Sequence, residues 1–471
     1  MTGEELRIRL SQDEATAHSH AGNGHSHESI GDDHASIEFV EPEESLSTDE
    51  RRAGFARIVH EHAENPPGGD PWNRAFYQAL NVICESDPTM LDWMIAATDA
   101  RSSDGRPTTK VALVNILQHA TNLAMIFGEH KMDFPRRAEL GLHEPEGWIR
   151  LLYGTLMPKY HALYIDALTN RDIQTTHPER GVLYPLIAER AFGGRADYQE
   201  AGIRVLDLGG STGKIWGDLV EMDSPDFHRQ SLMRRIRGVK RPFDGIEDMT
   251  EDDAALKGII LEHAQRAPRI SHVINVDRTD ALATVEAKQW LLACRHFGEV
   301  TPEALRESHR QIMQNRRDPR VDTIIGDFLE LPLYPPIPTD EEIAMNEWDE
   351  DDAAEVRQSR TFDMITASMT LYIQPKDFRD KVIADALRRL HPRDGILVVT
   401  DYIDIDHEQN RLNFTKTREQ YACKTAVRGP ATGDNWIMLA EYENTRARKL
   451  RALPGLRTFM DMTQTAEDDL L

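Results

Sequence analysis

Ile203-Arg-Val-Leu-Asp-Leu-Gly-Gly-Ser-Thr-Gly213 is the stretch that decides the fold class. Ile203, Val205, Leu206 and Leu208 read as a buried strand that carries one acid, Asp207. The strand breaks into a loop with Gly209, Gly210, Ser211 and Gly213, and Lys214–Val220 can begin a helix. A buried strand feeding a Gly-rich turn and a helix is how α/β proteins bring main chain close to a nucleotide-like ligand. Glycine is needed there because the turn takes φ values that a Cβ forbids and because the ligand must touch backbone. The spacing only approximates the Gly-x-Gly-x-x-Gly of dinucleotide sites.

Working outward, further strands follow in order. Ser271-His-Val-Ile-Asn-Val-Asp277 is a short strand ending in an acid, placed to accept both hydrogen bonds of a ribose diol. Val321–Asp327 is a third, with Asp327 and Phe328 at its end, and Phe362–Tyr372 is a fourth strand with its loop. A helix over roughly 376–390 is amphipathic through Phe378, Val382, Ile383, Leu387 and Leu390. Ile396–Thr400 is a continuous apolar run, as in strands buried on both faces. Tyr421–Val427 and Trp436–Tyr442 flank a Gly/Pro/Asp-rich turn and read as a closing hairpin. The expected fold class is α/β, a doubly wound, mostly parallel sheet preceded by a helical region.

Asp207, just ahead of the glycines, gives the loop a resemblance to the first motif of class I S-adenosylmethionine methyltransferases. Gly-Asp-Phe-Leu-Glu-Leu-Pro at 326–332 is similar to the segment of those enzymes where an acid and an apolar neighbour hold the adenine. From about residue 70 to 402 the chain also resembles an uncharacterised bacterial domain-of-unknown-function family, with helices before a methyltransferase-like Rossmann core. That likeness rests on Asn170–Arg180, Val205–Gly213, the basic Arg234–Pro242 segment, and Asp277 with Trp290. Thr176-His177-Pro178 and the acidic stretch at 340–352 depart from it. The resemblance implies S-adenosylmethionine as cofactor, and the residues expected to hold it are Asp207, Gly209, Gly210, Ser211, Gly213, Asp277, Asp327, Phe328 and Ser368, joined by Arg180 on the separate ground of the polar block 170–184. A ribose-binding acid normally follows the Gly-rich loop by about 20 residues. Asp277 follows Gly213 by 64, so an insertion at about 222–270 is expected, and an ordinary strand-end acid stays open for Asp277.

Composition bounds the rest. The 471 residues leave room for two or three domains. Three widely spaced cysteines, Cys84, Cys294 and Cys423, suit neither a disulfide framework nor a thiolate metal site, which favours a reducing, cytoplasmic location. The N-terminus lacks the apolar core of a signal peptide. Val111–Gly128 carries Asn115, Gln118, His119 and Asn122, so it reads as a buried helix and not a membrane span. A net charge of −25 argues against nucleic-acid binding.

Residues 1–48 read as a disordered acidic tail whose His18, His20, His25 and His27 could bind a metal without any supporting shell; the plainer reading is a solvated tail. Residues 49–200 read as a helical cap or substrate region, 201–445 as the core with an acidic solvated loop at 335–358, and 446–471 as a C-terminal extension. Within the cap, the polar block 170–184 is expected to line the site, with Arg180, or else Arg171, clamping the cofactor carboxylate and Gln174 and Thr175 helping to orient it. Internal salt bridges to Glu179 or Asp172 explain the same arginines. His161, His177 and Tyr372 are the candidate general bases, against a structural role for each. The expected function is methyl transfer to a small molecule or protein. A catalytically silent cofactor-binding protein acting through partners and an NAD-dependent oxidoreductase are the alternatives.

Overall fold

The computed structural model of the chain describes residues 46–66, 71–106, 108–128, 139–174, 178–193, 195–211, 216, 263, 266, 268–294, 320–331, 333–372, 374–414, 423–442 and 450–468. The His18, His20, His25 and His27 tail, Thr175, His177, Gly213, the Arg234–Pro242 segment and most of the 222–270 insertion lie outside these residues.

The helical layer comprises α1 (Thr48–Glu64), α2 (Pro71–Ser86), α3 (Thr89–Ser103), α4 (Lys110–Phe127), α5 (Pro145–Leu151) and α6 (Met157–Asn170). Helix α1 starts at a full capping box, with Ser47 and Glu50 satisfying each other's backbone donors. Helix α4 is buried over most of its surface, as its composition predicts, and packs on α6. Its polar residues Gln118, His119 and Asn122 are buried within the layer, where Gln118 accepts a 3.1 Å hydrogen bond from the Tyr77 hydroxyl. Among the described residues, no helix is long and apolar enough to cross a membrane.

Next come α7 (Tyr184–Phe192) and α8 (Ala196–Ala201), then β1 (Ile203–Leu208), β2 (Ile270–Asp277), α9 (Val285–Ala293) and β3 (Val321–Ile325). They are followed by α10 (Asp340–Asn346), α11 (Glu350–Arg360), β4 (Met364–Ser368), α12 (Lys376–Arg388) and β5 (Ile396–Asp401). The chain closes with a separate ribbon of β6 (Ile403–Asp406) and β7 (Arg411–Phe414), then β8 (Cys423–Arg428), β9 (Ile437–Tyr442), β10 (Arg451–Ala452) and α13 (Pro454–Asp468). The main sheet has the order β10-β9-β8-β5-β4-β1-β2-β3. Strands β1 to β5 pair in parallel, and β8, β9 and β10 extend the β5 edge by antiparallel pairing. Strand order reverses between β1 and β4, which makes their carboxyl ends the switch point of the sheet.

Two apolar layers cover the sheet. One face carries Val205, Val273, Met364, Ile396 and Val398 beneath Leu183, Tyr184, Ile187 and Phe192. The other carries Leu206, Leu208, Val276, Ile365 and Val399 against Val382, Ala386 and Phe328.

Three expectations are corrected. The boundary at 200/201 falls too late, because Leu183–Phe192 packs into the sheet core and belongs with it. The described part of the C-terminal extension, 450–468, is not an appendage: β10 adds to the β9 edge, and Leu456 and Phe459 of α13 are buried in the core. The acidic stretch at 335–358 is solvated but is not a loop. Thr339 and Asp349 each begin a helix with a reciprocal capping box, and the acids crowd the first turns. Carboxylates at helix N-termini meet the positive end of the helix dipole, so the local charge favours helix over coil. The ribbon of β6 and β7 was not anticipated from the sequence.

Candidate functional site

Strand register builds the site. Asp207 on β1 is beside Asn275 on β2 and Thr366 on β4, and Asn275 is beside Thr323 on β3. One pleat further toward the carboxyl ends, Ser368, Thr400 and Thr425 form a second row across β4, β5 and β8. Side chains two apart in a strand share a face. These polar rows therefore continue the Val205, Val273, Met364 and Val398 face into the crevice above it.

Asp207 is buried, and Thr366 Oγ1 donates to its Oδ1 at 2.7 Å. Trp216 Nε1 donates to Thr366 Oγ1 at 3.2 Å, and its ring stacks on Tyr184 at 5.3 Å. The indole can only donate and an ionised Asp207 can only accept, so with the carboxylate charged the Thr366 proton points to Asp207. Asp207 Oδ2 has no partner. Neither has Asn275 Oδ1, whose amide nitrogen is engaged by the Ser211 carbonyl at 3.3 Å. Both oxygens close on Gly210, where an added Cβ would meet them at 2.2 and 2.3 Å. Gly209, at φ +76, approaches Thr370 so closely that a Cβ would lie 1.9 Å from its methyl.

Ser211 and Met369 face the switch point with φ of 53 and 54. Non-glycine residues adopt such angles rarely, and the strain concentrates where structure over-determines it, often at functional sites. Ser211 N–H donates to Asp277 Oδ2 at 2.9 Å, and Thr279 N–H donates to Oδ1 at 3.4 Å. Each carboxylate oxygen can accept a further bond. Asp401, at the end of β5, accepts the N–H groups of Leu371 and Tyr372 on Oδ2, each at 3.1 Å, and that of Tyr402 on Oδ1 at 2.8 Å. Burial pushes the Asp207 carboxyl up to about 7 and those of Asp277 and Asp401 up to about 6.

Four buried polar atoms without hydrogen-bond partners lie here: Asp207 Oδ2, Ser211 Oγ, Asn275 Oδ1 and Ser368 Oγ. The Tyr184 hydroxyl lies beside them, next to Ser368 and Thr400. Buried polar groups are otherwise nearly always paired, so a cluster of exceptions calls for a polar occupant.

The expected residues separate into groups. Asp207, Gly209, Gly210, Ser211, Asp277 and Ser368 come together at the carboxyl ends of β1, β2 and β4. Asp327 follows β3, accepts the Leu329 N–H at 2.9 Å and pairs with Arg278 at 3.3 Å. Phe328 is packed in the opposite apolar layer, tilted against Phe378. The 170–184 block divides. Gln174 is beside Thr279 and hence Asp277, whereas Arg180 is buried near Asp401, Tyr372, Tyr402 and Cys423, where its charge favours the Asp401 carboxylate. Asp172 pairs with Arg101, and Arg171 with Asp166 at 3.4 Å. His161 is exposed on α6 with its ring edge-to-face on Trp93 at 4.9 Å, away from the strand-end residues in its contacts. Burial pushes the Tyr372 hydroxyl up to about 12, which makes it a proton donor and not a base at neutral pH.

Asn275 and Asp401 were missed. Asn275 had a signal, an amide in an otherwise apolar strand two residues before Asp277. Asp401 ends its strand just as Asp277 does.

Compared with models of known protein families and with curated proteins, the chain matches none.

Proposed function

We propose that this chain is an S-adenosylmethionine-dependent methyltransferase of the class I kind, with its cofactor over the β1 loop and a small molecule or protein as acceptor. The observation that carries this reading is the cluster of unpaired buried polar atoms at the β1/β4 switch point, beside a Gly210 backbone with no room for a side chain. Open α/β sheets bind ligands in this crevice. Three carboxylates, the buried Asp207 and Asp401 and the half-buried Asp277, face this region, and the buried cations acting on Asp401 are Arg180 and Arg379. Such a site suits a ligand with net positive charge, and S-adenosylmethionine at neutral pH carries a sulfonium and an ammonium against one carboxylate. Asp277 is the residue to hold the ribose, and the Gly209–Ser211 backbone to carry the adjoining chain of the ligand.

When bound, that cofactor supplies an already activated methyl group. The protein then has to align the acceptor and exclude water, which asks little of general-base chemistry. Tyr372, fixed by its backbone bond to Asp401 and edge-to-face with Tyr402 at 5.2 Å, lies where an acceptor would approach from the β4–β5 side.

Calorimetric titration tests the class. S-adenosylmethionine and S-adenosylhomocysteine should bind and NAD should not. Asp277→Ala should weaken S-adenosylhomocysteine by about 1–3 kcal/mol, roughly 5- to 150-fold, through loss of a charged acceptor to a buried hydroxyl. Preference for NAD would overturn the class, and unchanged affinity in the variant would remove Asp277 from the site.

A further inference from the structure

Gln174 is where the helical layer reaches the end of β2. Its N–H donates to the buried Cys294 thiol at 3.4 Å, and its side-chain Nε2 donates to Thr279 Oγ1. Thr279 N–H in turn donates to Asp277 Oδ1. Gln174 is only 6% exposed, and its Oε1 has no hydrogen-bond partner. Looseness does not account for the vacancy. The preceding residues are fixed by Arg101, which holds the Arg171 carbonyl at 2.9 Å and pairs with Asp172, and by Trp290 Nε1, which donates to the Asp172 carbonyl at 2.7 Å.

The neighbourhood of this oxygen limits what can satisfy it. Asp277 supplies a second acceptor two hydrogen bonds away, through the hydroxyl and N–H of Thr279. Two acceptors tied to one threonine repel phosphate and carboxylate groups and match a ligand bearing two adjacent donors. A vicinal diol has that pattern.

We propose that Gln174 is a specificity-determining residue of the site: its Oε1 accepts one ribose hydroxyl of an adenosyl ligand while Asp277 accepts the other. The assignment rests on the adenosyl reading given above. It gives the helical layer a direct part in ligand choice, because the residue precedes the sheet by nearly thirty positions and is held by contacts to α3 and α9.

The experiment is calorimetric titration of adenosine, 2′-deoxyadenosine and 3′-deoxyadenosine into the full-length wild-type protein, Gln174→Met and Gln174→Glu. Wild type should prefer adenosine over each deoxy analogue by about tenfold, since a buried acceptor loses its donor. In Gln174→Met the penalty for one of the two analogues should vanish while the other persists. Gln174→Glu keeps an acceptor and should keep both penalties. Equal affinity of wild type for the three nucleosides overturns the proposal without any variant. So does a Gln174→Met protein that weakens all three by the same factor, which marks a purely structural role. Failure of wild type to bind any of them, or S-adenosylmethionine, would fell the adenosyl reading itself.

Discussion

Arg101→Ala should lower the free energy of unfolding by about 3–5 kcal/mol, the usual loss when one partner of a buried ion pair is removed. Arg101 is fully buried. It pairs with Asp172, donates to the Leu168 and Arg171 carbonyls at 3.3 and 2.9 Å, and reaches Thr108 through Nε at 2.6 Å. Those carbonyls are at the C-terminal end of α6, where the last turn has no intrahelical donors and the helix dipole favours a cation. Alanine would leave the Asp172 carboxylate and the helix end without their donor. Lysine should recover only part of the loss, since a single ammonium cannot reproduce a planar fork that serves several acceptors. Urea unfolding of the three proteins measures this, and a loss below about 1 kcal/mol for alanine would show that water takes over the role of the guanidinium. Binding at Asp277 should weaken along with stability, because the same side chain fixes the segment leading to Gln174.

The second large effect is a dependence on pH. Burial raises the Asp207 carboxyl to about 7 and those of Asp277 and Asp401 to about 6, against an ordinary value of 3.8. Between about pH 4 and 7 the folded protein keeps protons that the unfolded chain has released. Their contribution to stability is full below about pH 4, falls as pH rises through that window, and is flat above it. His119, buried and held down to about 4, works in the opposite sense as pH falls below 6.5. The difference between wild type and Asp207→Asn isolates the Asp207 contribution. The amide keeps an acceptor for Thr366 and can place a donor opposite the unpaired Asn275 oxygen. Asp207→Asn should therefore be the more stable protein at pH 8, by an amount on the order of 3 kcal/mol, and the gap should close by pH 4. A gap independent of pH would mean that Asp207 ionises normally. S-adenosylmethionine, if it is the ligand, should bind wild type more tightly at pH 8 than at pH 5, because the ionised carboxylates are what a cation relieves.

Much of the sheet was legible because parallel strands buried on both faces leave short apolar runs that few other elements imitate. The apolar runs at 203–208 and 396–400 were found on that ground, whereas 271–277 was found as a short strand ending in an acid. The site was legible in part for a related reason. Along β1, β2, β4 and β5 the residues on one face turn from Val205, Val273, Met364 and Val398 to Asp207, Asn275, Thr366 and Thr400 toward the carboxyl end. Composition alone hid the helices at 340–360, since a dense run of acids reads as solvated coil until Thr339 and Asp349 are recognised as caps. The division of Gln174 from Arg180 was not readable at all. Six residues apart in sequence, they meet different strand ends, Gln174 beside Thr279 after β2 and Arg180 near Asp401 at the end of β5, and no periodicity encodes such a division.

The hydrogen bond from Thr366 to Asp207 joins positions 159 residues apart. A chain being synthesised makes the Gly-rich loop long before it makes the strand that completes it. The helical layer, built from contacts closer in sequence, can assemble while that partner is still absent. Loop closure over such a distance costs entropy before any contact rewards it, and topologies of this kind fold slowly. A product that stops before Met364 carries every glycine of the loop and still has no neighbour for β1 on the β4 side. The crevice at the strand ends is thus a late product of the folding order, formed only when about four-fifths of the polypeptide has been laid down.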